Sequence, residues 1–278
     1  MIHKNVNKEN LTRTVDILKI LKANLDAVGE LLDFYINQKS VDEESLLTAI
    51  YQVMPKYQED YKRTSDQYPV LVDEKWKVLK NKPDLVNAFK SVFFTSIKLK
   101  LYERKIKEGK IELKMEDAIP GYYLCEFCVN KSLSEILPFA TAIKYIQEFT
   151  KLTHSRPNPQ RKKFEKLSEF REWGESLCKE THQFVSDINE DNSEYRFYVS
   201  KCYWAQALQK YGNPEIFTAM ICYGDFVTTG FFNENFILTR NTTCMGGDCC
   251  DFCYHDRRIH SMISHPSDEE WEKFKIQF

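Results

Sequence analysis

The sequence lacks the features that would assign it to a membrane, to secretion or to nucleic acid. No apolar run approaches the ~20 residues that a transmembrane helix needs. The first ten residues, MIHKNVNKEN, contain neither an apolar segment nor a small-residue cleavage site, so no secretory signal is visible. The 39 basic and 41 acidic side chains leave a formal net charge of −2, which gives no long-range field for nucleic acid or anionic lipid. We therefore expect a cytoplasmic protein with neither a nucleic-acid nor a membrane partner. Nothing in these features indicates its oligomeric state.

The cysteine content also argues against a disulfide framework. The chain has nine cysteines, an odd number, whereas secreted disulfide scaffolds normally use an even one. Thiols stay reduced in the cytoplasm. A chain of 278 residues can bury a sizeable core without covalent cross-links. We therefore interpret the cysteines as core residues, ligands or nucleophiles.

The first half of the chain has the spacing of amphipathic helices. Between Leu11 and Leu32, apolar residues recur every three or four positions, which predicts one apolar helix face. The Lys-rich segment 97–114 mixes lysine with glutamate and apolar residues, and we interpret it as a solvated helix face. The sequence thus predicts a mainly helical region over residues 1–185.

The pattern changes after the polar turn formers of residues 186–194. YRFYVS alternates like a strand, and two short helices follow, separated by Gly212, Asn213 and Pro214. NFILTRNTTC and CCDFCYHDRR predict two strands joined by MGGD, with glycines where positive φ is needed. Residues 193–278 are therefore predicted to form a β-α-α-β-β unit that ends in an antiparallel hairpin. The fold class is α+β, built either as two domains or as one continuous domain.

Two cysteines have the setting of a nucleophile. Cys202 falls in the first turn of a predicted helix, where the helix dipole and Lys201 favour the thiolate. Cys222 and Asp225 are three positions apart on a helix, so a carboxylate can accept a proton beside a thiol. The alternative is that both cysteines are small buried side chains and that Asp225 is solvated.

The cysteine-rich segment 244–255 suggests a metal, but its spacing does not support one. Cys125-x-x-Cys128 and Cys250-x-x-Cys253 lie too far apart in sequence for a zinc ribbon. Along an extended strand, Cys249 and Cys253 would be about 13 Å apart, too far to share one ion. Cys253 with His255 forms half a site. We therefore predict no metal and no other cofactor, and these two residues are the only weak metal candidates.

The C-terminal block resembles a known family. FYVSKCYWAQALQKYGNPEIFTAMICYGDF, followed by FILTRNTTCMGGDCCDF, is similar to the signature of the L-2-amino-thiazoline-4-carboxylic acid hydrolase family. The shared pattern is a Cys before a short helix that ends in Gly, then Pro-Glu, Cys-x-x-Asp, an Arg/Thr-rich strand, a glycine turn and Cys-Asp-Phe. The resemblance implies a hydrolase that acts on a C–N or C–S bond of a small, amino-acid-derived cyclic amidine or thiazoline-like substrate.

The same resemblance implies roles for individual residues. Cys202 or Cys222 would be the nucleophile, and Asp225 the base or the partner of the amidine. The implied substrate-binding residues are Arg240, as a clamp for a carboxylate, with Thr242, Asp251 and Glu215. Two other hypotheses stay open: a non-catalytic protein that binds a small molecule or a metal (zinc or iron) through the cysteine-rich hairpin, and a different natural-product-pathway enzyme on the same scaffold.

Overall fold

The chain divides into two compact units. A computed structural model describes residues 2–3, 11–59, 68–102 and 106–276. Residues 9–149 form one unit, here called the helical unit, and residues 1–8 with 150–278 form the other, here called the sheet unit. The division falls inside a helix, whereas the sequence analysis placed the change of architecture at 186–194. No helix in the described ranges is both long and apolar enough to cross a membrane.

The helical unit is built on amphipathic helices, as the leucine spacing predicts. Its first long helix begins after Asp16, whose side chain accepts a hydrogen bond from the Lys19 backbone N–H at 2.9 Å. The helices are α1 (Ile17–Asp33), α2 (Glu43–Val53), α3 (Lys77–Lys80), α4 (Pro83–Ser96), α5 (Leu99–Tyr102), α6 (Met115–Ile136) and α7 (Phe139–His154), the last of which contains the division between the units.

The helical unit also contains a strand pair that the sequence analysis assigned to helices. After β1 (Ile2–His3), strand β2 (Thr12–Asp16) pairs antiparallel with β3 (Lys110–Lys114). The interpretation of segment 97–114 as one solvated helix face is therefore wrong at its end. In β3, Ile111 and Leu113 are buried and the lysines and glutamate between them are exposed, which is the two-residue period of a strand.

The sheet unit is organised around a five-stranded antiparallel sheet. Its strand order is β1-β4-β5-β7-β6. The strands that follow β3 are β4 (His182–Ile188), β5 (Glu194–Cys202), β6 (Phe236–Thr239) and β7 (Cys250–Asp256). The helices are α8 (Leu167–Cys178), α9 (Tyr203–Leu208), α10 (Pro214–Phe217), α11 (Gly224–Phe232) and α12 (Asp268–Ile276), with a π-helical segment, Thr218–Cys222, between α10 and α11. Mixed helices and antiparallel sheets confirm the α+β class.

The segment 186–194 does not separate two architectures. It contains the turn of a hairpin that joins β4 to β5, closed by a hydrogen bond from the Asn189 N–H to the Glu194 carbonyl at 2.9 Å. Asn192 takes a positive φ of 60° in this turn, a conformation that asparagine tolerates well. β4 was not predicted, because its first residues fall in the region 1–185, which the sequence predicts to be mainly helical.

The predicted glycine turn between β6 and β7 is also different in the structure. The connection covers residues 240–249, and the positive-φ glycines of the described chain are Gly109 and Gly212, not Gly246 or Gly247. The Thr243 carbonyl accepts hydrogen bonds from both of the latter N–H groups, at 3.2 and 2.7 Å. The loop is therefore held by hydrogen bonds and needs no left-handed glycine.

The sheet presents two chemically different faces. Side chains alternate along a strand, and cross-strand partners share a face. The pairs Tyr195↔Tyr254 and Phe197↔Phe252 lie on one face, here called the aromatic face. The intervening pair Arg196↔Cys253 and the flanking pair Glu194↔His255 lie on the other, here called the polar face. On this face Tyr198 packs against Trp271 of α12.

Candidate active site

A pocket of about 210 Å³ opens on the aromatic face, between the sheet and helices α8 and α11. This is below the ~300–1,000 Å³ typical of sites for drug-sized ligands, so the pocket suits a smaller molecule. Its walls consist mainly of aromatic rings. The lining residues are Phe170, Trp173, Gly174, Leu177, Cys178, Tyr195, Phe197, Asp225, Thr228, Thr229, Phe232 and Tyr254.

Asp225 lies in the first turn of α11 and has the one carboxylate among the lining residues. Its Oδ2 accepts a hydrogen bond from Arg240 Nη1 at 2.7 Å, and 43% of its side-chain surface is exposed. Oδ1 has no hydrogen-bond partner among the residues that the structure describes. The protein packed around the carboxyl raises its pKa from the ordinary 3.8, while the Arg240 guanidinium opposes that rise. One oxygen is thus held by the protein and the other is available to a ligand.

Arg240, which follows β6, is engaged within the protein on all sides. Only 3% of its side chain is exposed. Nη2 donates to the Cys222 carbonyl at 2.7 Å, and the guanidinium lies 4.9 Å from the ring centroids of both Phe226 and Phe252. The clamp for a substrate carboxylate that the resemblance implies is not favoured by this geometry. In the structure, Arg240 positions Asp225.

A helical irregularity sets the position of Cys222 and Asp225. The π-helical segment ends at Cys222, and π-helical turns often occur at functional sites. Gly224 is the first residue of α11. A Cβ at this position would lie 2.6 Å from Nε2 of His154, so the glycine is required by the close approach of an imidazole.

The predicted nucleophiles lie near the carboxylate, but their thiols are not activated. Cys202 is the N-cap of α9, where the sequence analysis expected a lowered pKa. Hydrogen bonds from the Ala205 and Trp204 N–H groups do favour the thiolate, yet burial dominates and raises the pKa to about 11. Burial, followed by the charge of Asp225, raises the pKa of Cys222 even further. Neither cysteine is among the residues that line the pocket.

Two residues at the site were missed by the sequence analysis. Cys178, the last residue of α8, lines the pocket, and burial raises its pKa to about 12. His154 accompanies Asp225, whose pKa it helps to lower, and its Nδ1 lies 2.9 Å from the Thr150 carbonyl. Neither residue belongs to a local motif. Only the tertiary fold brings them to the carboxylate.

Three predicted substrate-binding residues lie outside the pocket lining. Glu215 is exposed in α10. Thr242 is exposed and its Oγ1 donates to the Cys249 carbonyl at 3.1 Å. Asp251 is buried, and its Oδ1 accepts hydrogen bonds from the Asn241 and Thr242 N–H groups at 3.1 and 2.7 Å. Their assignment to substrate is therefore not favoured.

The cysteine-rich segment is divided between several environments. All nine cysteines, each within the described ranges, are free thiols. Cys250 Sγ accepts a hydrogen bond from the Cys244 N–H at 3.0 Å, and Cys249 Sγ lies 3.2 Å from Thr242 Oγ1. Cys253 is completely buried on the polar face, close to His255. Cys125 and Cys128 are buried in α6 of the helical unit.

The model of the L-2-amino-thiazoline-4-carboxylic acid hydrolase family matches residues 122–254. Over these residues, the chain is similar to this family. The match includes Asp225, Arg240 and the whole pocket lining, and it confirms the resemblance seen in the sequence. No curated protein and no solved structure matches the chain. The family is named for a hydrolase, and the pocket with its carboxylate is the part of the matched region that suits a small substrate.

Proposed function

We propose that the sheet unit hydrolyses a small cyclic amidine-like compound of the thiazoline type, bound in the aromatic pocket beside Asp225. The observation that carries the proposal is the free Oδ1 of Asp225, the one charged side chain in a lining made mostly of aromatic rings. The family name supports the reaction class. The small pocket volume supports a substrate of a single ring with few substituents.

The lining matches the chemistry of a protonated cyclic amidine. Such a group is planar and cationic and carries N–H donors. Aromatic faces attract cations by about 0.5–2 kcal/mol when water is excluded. A carboxylate forms a charge-assisted hydrogen bond with an amidinium N–H. Arg240 donates a hydrogen bond to Oδ2 of this carboxylate, and this contact restrains the orientation of the group.

The reaction is the addition of water followed by ring opening. The oxygen of water bonds to the ring carbon between nitrogen and sulfur, and the bond from that carbon to sulfur then breaks. With the amidinium form as reactant, one proton of water passes to the Asp225 carboxylate and the other to the departing sulfur. The product is a ureido acid with a free thiol. A carboxylate with a raised pKa suits this proton transfer because its basicity is closer to the working pH.

Water is favoured over a cysteine as the nucleophile because no described thiol at the pocket is activated. Burial raises the pKa of Cys178, the thiol in the lining, to about 12, so it is protonated at neutral pH. Attack by this sulfur would first require transfer of its proton to Asp225. Attack by water and attack by Cys178 therefore predict different effects on turnover when the Cys178 thiol is removed.

The test is the turnover of 2-amino-thiazoline-4-carboxylate, followed by the free thiol of its product. Asp225→Asn is expected to lower kcat/KM by about 10²–10⁴-fold, the usual contribution of a general base. Glu234→Gln, which changes an exposed carboxylate of the same unit, is the control and should leave turnover unchanged. Cys178→Ala separates the two nucleophiles, since retained turnover supports water. An active Asp225→Asn variant, or no turnover of any cyclic amidine by the native chain, contradicts the proposal.

A further inference from the structure

Three side chains with metal-ligating atoms converge on the polar face of the sheet. Glu194 of β5 lies directly opposite His255 of β7, and Cys253 is two residues away on the same face. One ligand atom from each of the three lies within 4.8 Å of the other two. Cys253 and His255 are 0% and 4% exposed, and 19% of the Glu194 side chain is exposed. We propose that these three side chains bind a zinc ion.

The third ligand comes from the register of the sheet and not from the local sequence. Cys253 and His255 alone give half a site. Antiparallel pairing of β5 with β7 then adds Glu194, because directly opposite residues have Cβ atoms only about 5 Å apart. Cys249 does not join this cluster. Strand alternation would have placed it farther along the same face, but it lies outside β7, and its Sγ forms a hydrogen bond with Thr242 Oγ1.

The separation of the ligand atoms suits a shared ion better than a direct contact. His255 Nδ1 lies 3.6 Å from Glu194 Oε2, which is too long for a hydrogen bond. Zinc bonds to nitrogen and oxygen of about 2.0–2.2 Å, at a tetrahedral angle, place two ligand atoms about 3.4 Å apart. The atoms therefore have the spacing of neighbouring zinc ligands.

The hydrogen bonds behind the site leave two acceptors facing each other. His265 Nε2 accepts a hydrogen bond from Trp271 Nε1 at 3.1 Å and lies 2.9 Å from Asp251 Oδ2. His265 Nδ1 lies 3.1 Å from Thr239 Oγ1. The Thr239 hydroxyl donates its one proton to the Cys253 carbonyl at 3.4 Å, so towards His255 Nε2, at 3.0 Å, Oγ1 is the acceptor. His255 Nδ1 therefore presents a lone pair towards the Glu194 carboxylate.

A cation between these two acceptors satisfies both of them. A doubly protonated His255 does not, since at 3.6 Å its Nδ1 proton would not reach Glu194 Oε2. Glu194 is itself oriented, because Oε1 accepts a hydrogen bond from Arg196 Nε at 2.6 Å. The Cys253 thiol also hydrogen-bonds to this carboxylate, and the ion would take the place of the thiol proton. Second partners of this kind, which fix the ring and the carboxylate, are typical of metal sites.

The ligand types indicate zinc. Thiolate, imidazole and carboxylate together are typical zinc ligands, whereas magnesium and calcium bind oxygen alone. Binding releases the proton of the Cys253 thiol to solvent, and the thiolate and the Glu194 carboxylate then neutralise the two charges of the ion. A water molecule completes the four-coordinate site. The ion would cross-link β5 and β7.

The test is zinc binding to the full chain after removal of bound metal with a chelator. In competition with a chromophoric chelator, the native chain is expected to bind one equivalent of zinc. Cys253→Ser and Glu194→Gln are each expected to weaken binding at least about 10-fold, because changing even an outer partner of a metal ligand usually costs about 10–100-fold in affinity. Cys249→Ser, which changes the neighbouring thiol outside the cluster, is the matched control and should bind as the native chain does.

Cobalt substitution gives a readout that does not depend on affinity. The native chain with Co²⁺ should show a thiolate-to-cobalt charge-transfer band, and Cys253→Ser should lose it. If Cys253→Ser fails to fold, the partly exposed and isosteric Glu194→Gln decides by its zinc affinity. Absence of stoichiometric zinc binding by the native chain, or native affinity in Glu194→Gln, overturns the proposal. Neither result tests the proposed hydrolysis, whose carboxylate, Asp225, lines the pocket on the aromatic face.

Discussion

Replacement of Arg240 by glutamine tests whether the carboxylate of the candidate site is held as the structure indicates. The change removes two charge-assisted hydrogen bonds, one to Asp225 and one to the Cys222 carbonyl, both of 2.7 Å. It also removes cation–π contacts with two phenylalanine rings, each 4.9 Å from the guanidinium. The side chain is 3% exposed, so glutamine cannot recover these contacts from water.

The expected loss in the free energy of unfolding of the sheet unit is about 3 kcal/mol. Removing one charged partner of a fully buried ion pair costs about 3–5 kcal/mol of stability. Asp225 keeps 43% of its side-chain surface exposed, so solvent screens its charge and the lower end of that range applies. The two aromatic contacts, at about 0.5–1 kcal/mol each, are part of this total and not an addition to it.

Urea denaturation followed by tryptophan fluorescence measures this loss, since Trp173, Trp204 and Trp271 all lie in the sheet unit. Arg257→Gln is the control, because Arg257 is exposed and bonded through Nε to Asn235 at 3.2 Å. A surface change of this kind should cost less than about 0.5 kcal/mol. Equal costs for the two variants would refute the reasoning.

A double-mutant cycle isolates the ion pair from the other contacts of Arg240. In Arg240→Gln with Asp225→Asn, the unpaired carboxylate is also removed. The combined loss is therefore expected to be smaller than the sum of the two single losses by about 1 kcal/mol or more. An additive pair would mean that Arg240 stabilises the unit by packing alone.

Three further outcomes are expected. Gly224→Ala should destabilise the sheet unit by about 1–3 kcal/mol, because the new Cβ would lie 2.6 Å from His154. Gly230→Ala, in the same helix, is the control: its Cβ would meet nothing within 4 Å, so the change should stabilise the unit by up to about 1 kcal/mol. Urea denaturation measures both changes. The value of kcat/KM should fall at acid pH with a midpoint above 3.8, because burial raises the pKa of Asp225. A midpoint below 3.8 would contradict the role of Asp225 as the base. Burial raises the pKa of Cys202 from its ordinary 9.0 to about 11, so the folded state holds this proton to a higher pH than the unfolded state does. Stability should therefore fall as pH rises from 9.0 to about 11, and Cys202→Ala should reduce that fall.

The sequence carries the local part of the fold. Leucine spacing is sufficient to predict α1, and alternation is sufficient to predict β5 and β7. It does not predict the pairing of β2 with β3, because Lys and Glu are common on solvated helices and the strand's partner lies far along the chain. β4 was assigned to a helix because its first residues, HQF, continue a long polar-apolar pattern without a break.

The candidate site shows the same division between local pattern and tertiary contact. The family pattern identifies Asp225 and Arg240, which the structure joins at 2.7 Å. It gives no sign of Cys178 or His154, since neither lies in a motif and both reach the carboxylate only through the packing of helices. The direction of the thiol pKa shift at Cys202 was wrong for a related reason. A helix N-terminus can be inferred from sequence, whereas the burial that outweighs it cannot.

The cysteine-rich strand β7 contributes side chains to both faces of the sheet, because successive side chains point to opposite faces. Cys250, Phe252 and Tyr254 belong to the aromatic face, while Cys253 and His255 belong to the polar face. A shift of one residue in the pairing of β5 with β7 would exchange these two sets, because the side-chain period of a strand is two. Both the pocket wall and the cluster around Glu194 would then be lost together. An ion that links β5 to β7 on the polar face would oppose that shift, and in doing so it would hold Tyr254 in the wall of the pocket on the other face.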